Sequence, residues 1–318
     1  MSAEAVRWGP WTRVGLEIAP DGLTLVRTRG RGRRRIVTDV RTQPLPPGLV
    51  TVSPVEPNLA DPAEFGRAVR ALTQGRRIGP VGVALPDALA RVALFDVASL
   101  PPQTSDVARL VRWHLEKTFS VDLPSARFVH QRFRRPDGEP GHRIVASAIE
   151  EAVLSQYETV LIQEGFEPRV IDLASFHRFN LYRSHMARLT EPDHHFIFLT
   201  ITDAALTLMI ADGGTPAYLR IKGTRRPFAG PEAAPRILDE VELSLNAYGK
   251  EKDLSRVTHL FVVSATETAD DLSDQLAARF HLTAVLLGWG DIALDGADAL
   301  SRREFAGASA ALGAALER

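Results

Sequence analysis

Apolar and polar positions alternate in the same way at two places in the chain. Val14, Leu16 and Ile18 alternate with Gly15, Glu17 and Ala19; Pro20-Asp21-Gly22 then turns the chain, and residues 23–27 return. This is the pattern of a β-hairpin, with a single acid, Glu17, near the end of its first strand. Far downstream, residues 196–201 (FIFLTI) run into Thr202-Asp203, and residues 205–210 (ALTLMI) return. Two similar hairpins, one in each half, predict a two-lobed protein built by duplication.

Between and after the hairpins the period changes. Residues 36–40 read as a third strand and 43–62 as a proline-rich loop. Asp61-Pro62 then opens a helix with Phe65, Val69 and Leu72 on one face. Residues 79–149 read as a compact α+β unit. It has strands at 81–85 and 92–97, a helix capped by Ser105, and a hairpin of 126–133 with 143–149 around Pro136-Asp137-Gly138. The helix carries Val107, Leu110, Val111, His114 and Leu115 on one face, with Trp113 on its flank. Further helices are predicted at 151–164 and 173–189, and residues 190–193 form a hinge. In the second half, Pro235 and Thr268 open helices, strands fall at 217–221, 259–263 and 284–287, and a small-residue helix at 303–316 ends the chain. The fold class is α/β. Small side chains let the last helix approach another backbone closely.

The bulk numbers exclude more than they assign. The 318 residues are 45% hydrophobic and 24% charged, with a formal net charge of −1. That is an ordinary globular balance, large enough for two cores, and it carries no global signal for nucleic acid. With no cysteine, disulfides, thiol catalysis and cysteine metal sites are excluded. No apolar run approaches the about 20 residues that span a bilayer, and the opening MSAEAVRWGPWTR lacks the apolar core of a signal peptide. A cytoplasmic protein is expected, its N-terminal arm pinned by Trp8 and Trp11.

Candidate chemistry is thin. His194-His195 lacks the spacing of a metal motif and reads as surface or hinge histidines. No GxSxG elbow is present. Gly30 and Gly32 lie in a basic turn and open no helix, so they are not a dinucleotide fingerprint. That turn, with Arg29, Arg31, Arg33, Arg34 and Arg35, reads first as a solvated hairpin loop. The sharper reading is a contact with anionic lipid headgroups or an acidic partner.

Three stretches in order carry a resemblance. The PilM family of actin-like pilus assembly proteins opens on GLDIG…VKLV, matched by Gly15-Leu16-Glu17-Ile18 with residues 23–26. Its RWEAEKYIPF helix is matched by Arg112-Trp113-His114-Leu115-Glu116-Lys117-Thr118-Phe119. Its GLKP…IDVESFA segment is matched by Gly165-Phe166-Glu167-Pro168 and then Ile171-Asp172-Leu173-Ala174-Ser175-Phe176. The chain therefore resembles that family over nearly its whole length.

The resemblance implies an actin-like fold of two lobes: 1–78 and 166–192 in the first, an inserted subdomain at 79–165, 193–303 in the second, and a C-terminal helix at 304–318 returning to the first. It implies a scaffold at the cytoplasmic face of the inner membrane, in a type IV pilus-like or related type II secretion machine. The implied partner is the short N-terminal tail of a PilN-like membrane protein, with the cytoplasmic pilus motor ATPase as a second. The tail's groove would lie between the first lobe's sheet and the insert, lined by Leu94, Phe95, Arg109, Trp113 and Phe119.

Nucleotide binding in this fold needs two turns offering N–H groups to phosphates, acids to hold Mg²⁺, and a glycine-rich turn against the adenosine. Here Glu17 replaces an aspartate, and Ala19-Pro20 replaces the glycine and serines; proline has no N–H to offer. Thr200-Ile201-Thr202 replaces DIG, with Asp203 as the nearest acid, and Ser264-Ala265-Thr266-Glu267 replaces GGGA. The vestigial nucleotide positions are Glu17, Asp21, Thr200, Thr202, Asp203, Ser264, Ala265 and Thr266. Glu17 itself reads as a strand-end acid bonded to turn amides, ahead of a metal role. The expectation is a pseudo-ATPase with no cofactor and no metal. The alternative is an active actin-like ATPase or sugar-kinase-superfamily enzyme holding Mg-ATP between its lobes.

Overall fold

The structure is a computed structural model that describes residues 12–30, 35–135, 138, 140–224, 226–230, 232–250, 252–266, 269–292, 294–296 and 300–316. Trp8, Trp11, Arg31, Arg33, Arg34, Pro136, Asp137, Glu267 and Thr268 lie outside the described residues.

The first sheet joins β1 (Val14–Ala19), β2 (Gly22–Arg29), β3 (Ile36–Pro44), β4 (Gly79–Leu85) and β8 (Phe166–Leu173) in the order β3-β2-β1-β4-β8. The second joins β9 (His195–Ile201), β10 (Ala205–Asp212), β11 (Thr215–Gly223), β12 (Val257–Ser264) and β13 (Thr283–Leu286) in the order β11-β10-β9-β12-β13. In each, an antiparallel meander of three strands is followed by two parallel strands. The two lobes thus repeat one topology, as the paired hairpins imply. A third, antiparallel sheet, β5-β7-β6, is built from β5 (Arg91–Val97), β6 (Ala126–Arg134) and β7 (His142–Glu150).

The helices are α1 (Pro62–Thr73), α2 (Thr104–Phe119), α3 (Glu151–Gln163), α4 (Ala174–Leu189), α5 (Ala233–Gly249), α6 (Ala269–Phe280) and α7 (Arg302–Leu316). Asp61 caps α1 through the amides of Ala63 and Glu64, with proline in the first turn. Ser105 does not cap α2; that helix begins one residue earlier, after Gln103, without a side-chain cap.

Two elements grouped with the insert by local pattern lie in the first lobe. β4 pairs with β1 and β8, and both β4 and α3 pack into the first lobe's core through Val81, Val83, Val153 and Tyr157. A strand buried on both faces reads only as an apolar run, which does not say which sheet it joins. The small sheet with α2 has its own core of Ala93, Val111, Leu115, Ile144 and Ala146.

α7 lies across β1, β2 and β4 and against α4. Gly15 and Gly82 face each other across the β1–β4 pair. A Cβ on Gly15 would stand 1.8 Å from Ala311 O, and one on Gly82 2.2 Å from Ala314 O. Bare strand backbone is therefore the floor on which the helix rests. α4 and α7 also join the lobes: Phe179, Tyr182 and Phe305 share a core with Val26 and Val37 of the first sheet and Phe196, Phe198 and Phe261 of the second.

Candidate functional site

The turns of the two duplicated hairpins open onto one cleft of about 830 Å³. Glu17 and Asp21 line it from the first lobe, and Thr200, Thr202, Asp203, Ala265 and Thr266 from the second. The fold thus brings together seven of the eight positions read as vestigial nucleotide contacts. The eighth, Ser264, is buried just behind, its Oγ 2.9 Å from Thr266 Oγ1 and accepting from the Thr266 amide at 3.2 Å. In the second hairpin, Thr202 Oγ1 accepts from the Ala205 amide at 3.1 Å, and the Thr202 amide donates to Ala205 O at 2.9 Å.

Glu17 is held differently from the strand-end acid expected. Its Oε1 accepts from Nη2 of Arg178 at 2.5 Å, and Nε of Arg178 donates to Ser309 Oγ at 3.0 Å. All three residues are buried, on β1, α4 and α7 respectively. The partner is a guanidinium 161 residues away rather than a turn amide. Oε2 of Glu17 has no partner among the described residues. Burial raises the Glu17 carboxyl above its ordinary value, against the pull of Arg178, and repulsion from Asp87 and Asp21 adds to the rise.

Asp87, which the sequence reading passed over, stands on a turn after β4. Its Oδ1 accepts from the Ser175 amide at 2.9 Å and its Oδ2 from the Thr207 hydroxyl of β10 at 2.5 Å. Asp87 therefore ties the first lobe to α4 and to the second lobe.

The donor set does not fit a magnesium nucleotide. A hard cation needs free carboxylate oxygens; Asp87 has both of its oxygens engaged, by Ser175 and Thr207, and Glu17 has one engaged by Arg178, whose positive charge opposes a cation at the other. Pro20 removes an N–H from the first turn, and Ala265 and Thr266 carry side chains on the cleft wall. Five carboxylates, Glu17, Asp21, Asp87, Asp203 and Glu304, line the cleft against two guanidiniums, Arg178 and Arg303. That field opposes a polyphosphate.

The five positions expected to line a peptide groove do not share one surface. Leu94 and Phe95 are successive on β5 and so point to opposite faces. Phe95 stacks on His114 with ring centroids 3.8 Å apart, and Trp113 meets His114 edge-on at 4.8 Å. Arg109, Trp113 and Lys117 follow one another at helical spacing; Lys117 Nζ lies 4.9 Å from the Trp113 ring centre, and Arg109 pairs with Asp106 at 2.6 Å. Trp113 is 52% exposed and Phe119, at the end of α2, 36%.

Of the basic turn, Arg29 is exposed, but Arg35 is 2% exposed and faces inward. Its Nη1 donates to Ala315 O at 2.8 Å and its Nη2 to Thr12 O at 3.3 Å. Its charge sits at the carbonyl end of α7, where a cation is favoured, rather than at a membrane. His195 is likewise not a surface histidine. It is buried, with Nδ1 2.7 Å from the Tyr248 hydroxyl and Nε2 3.2 Å from Asp212 Oδ2. Glu191, Asp193 and His194 bring ligand atoms within 4.8 Å of one another, a spacing common among exposed acids without a metal.

Taken together, the repeated sheets, the central cleft and the helices between the lobes define an actin-like ATPase fold. Within that class the structure matches the PilM-PilN type IV pilus biogenesis complex, with a TM-score of 0.79 at 18% identity, over 96% of this chain and 98% of that one. A Bacteroides thetaiotaomicron protein with an actin-like ATPase fold and unknown function matches at 0.52 and 6% identity, over 89% of this chain and 94% of that one. The cytoplasmic domain of EpsL, from the type II secretion system of Vibrio cholerae, matches at 0.43 and 8% identity, over 79% and 80%. No family model and no curated protein matches the chain by sequence. Among the described residues, no helix is long and apolar enough to cross a membrane.

Proposed function

We propose that this chain is a scaffold of a type IV pilus-like or related secretion machine, which binds the cytoplasmic N-terminal tail of a PilN-like inner-membrane protein and does not hydrolyse ATP. The observation that carries the reading is the end-to-end likeness to the chain solved in a PilM–PilN complex. The guanidinium of Arg178 beside Glu17 and the engagement of both Asp87 oxygens support the absence of turnover. A shared fold does not confer phosphoryl transfer, which depends on positioned metal and phosphate donors. The chain reaches the inner face of the membrane through its partner.

Calorimetry of the purified chain with millimolar Mg-ATP is expected to show no saturable binding, and no phosphate release is expected alongside it. Saturable binding with turnover would replace the scaffold by the alternative enzyme.

The anchor proposed for the tail is the exposed row of α2 centred on Trp113, because tryptophan dominates binding hot spots. Trp113→Ala is expected to weaken binding of a synthetic PilN-type tail peptide about tenfold or more, with an unchanged circular dichroism spectrum. Equal affinity for native and variant chains would remove Trp113 from the site.

A further inference from the structure

Hydrogen bonds between buried polar groups tie the walls of the cleft together. Arg178 reaches from α4 to Glu17 at the end of β1 and to Ser309 on α7. Asp87 reaches from the turn after β4 to Ser175 at the start of α4 and to Thr207 on β10, in the opposite lobe. The same turn packs on β10 and β11, where a Cβ on Gly223 would meet the Ala88 methyl at 3.2 Å. Every one of these bonds has a charged donor or acceptor inside a buried environment, where such bonds are strongest.

We infer that these residues form a built-in latch. Arg178 supplies positive charge to Glu17, and the Asp87–Thr207 bond ties lobe to lobe, so that the chain itself holds its cleft in one arrangement. The inference deepens the reading of a cleft without turnover and rests on it. A partner tail would then meet a surface whose shape does not follow nucleotide state. The acids that outnumber guanidiniums around the cleft reinforce this, because they disfavour the anion that would compete with the latch.

Amide hydrogen exchange in nucleotide-free buffer tests the latch on the full chain. Thr207→Val removes the hydroxyl and keeps the branched shape. It is expected to accelerate exchange about tenfold or more in the first turn of α4 and in β10, while β6 and β7 of the insert exchange as in the native chain. Asp87→Asn is expected to behave like Thr207→Val, and Thr207→Ser, which keeps the hydroxyl, like the native chain. Millimolar Mg-ATP is expected to leave native exchange unchanged. The latch is overturned if both Thr207→Val and Asp87→Asn exchange like the native chain, or if Mg-ATP protects the native cleft. ATP turnover by the native chain would instead overturn the reading of the cleft itself. Native-like exchange in both variants, without turnover, removes the latch alone.

Discussion

Replacing Gly15 by alanine is expected to cost about 3 kcal/mol or more and to lower the melting temperature by roughly 6–12 °C. The added Cβ would stand 1.8 Å from Ala311 O and 2.6 Å from Ala315 N. Both are backbone atoms of α7, so no rotamer change relieves the overlap; the helix must move. It has little room to do so, because a Cβ on Gly82, paired with Gly15 on β4, would stand 2.2 Å from Ala314 O. On the other side, a Cβ on Gly313 would stand 2.4 Å from His177 O of α4. α7 is therefore fixed between a glycine floor and α4, and through Phe305 and Leu312 it belongs to the core shared by both lobes. Displacing it loosens the lobe junction as well as one helix. Gly307→Ala on the same helix is the control: nothing lies within 4 Å of its added Cβ, and alanine is the better helix former. Thermal melts of the three chains decide the matter. If Gly15→Ala melts with the native chain, the close approach of α7 to β1 is wrong.

Local chemistry made the hairpins and the helices legible. Period-two alternation located both duplicated turns, and an acid before a proline located the start of α1. What escaped was long-range. Glu17 and Arg178 are 161 residues apart, and Asp87 and Thr207 are 120 apart; no local period relates such pairs. One signal was nonetheless in the chain. Ala174, Arg178, Tyr182 and Met186 follow at intervals of four, so the arginine lies within the buried stripe of α4. An arginine in such a stripe requires a buried partner. Arg35 carried no such signal, since a run of arginines in a turn reads as solvated. The misplacement of β4 and the split of Leu94 from Phe95 have simpler causes: apolar strands do not name their sheet, and neighbouring strand residues cannot share a face.

The buried pair offers the sharpest pH-dependent result. Arg178→Met keeps much of the side chain's bulk and removes its charge, leaving Glu17 enclosed with neither oxygen paired by arginine. Breaking one side of a buried ion pair costs about 3–5 kcal/mol, and this loss is expected at pH 8. Burial already holds the Glu17 carboxyl above its ordinary value of 4.5, and removing the guanidinium raises it further. A carboxyl that binds its proton more tightly folded than unfolded stabilises the fold below its unfolded value; that stability is lost as pH rises through the folded value. The deficit of Arg178→Met relative to the native chain should therefore be smaller at pH 5 than at pH 8. Glu17→Gln/Arg178→Met removes the stranded charge and is expected to recover most of the loss at pH 8. Urea midpoints at the two pH values measure all of this. An equal deficit at both, or a double variant no more stable than the single one, would mean that Glu17 is not the group Arg178 neutralises.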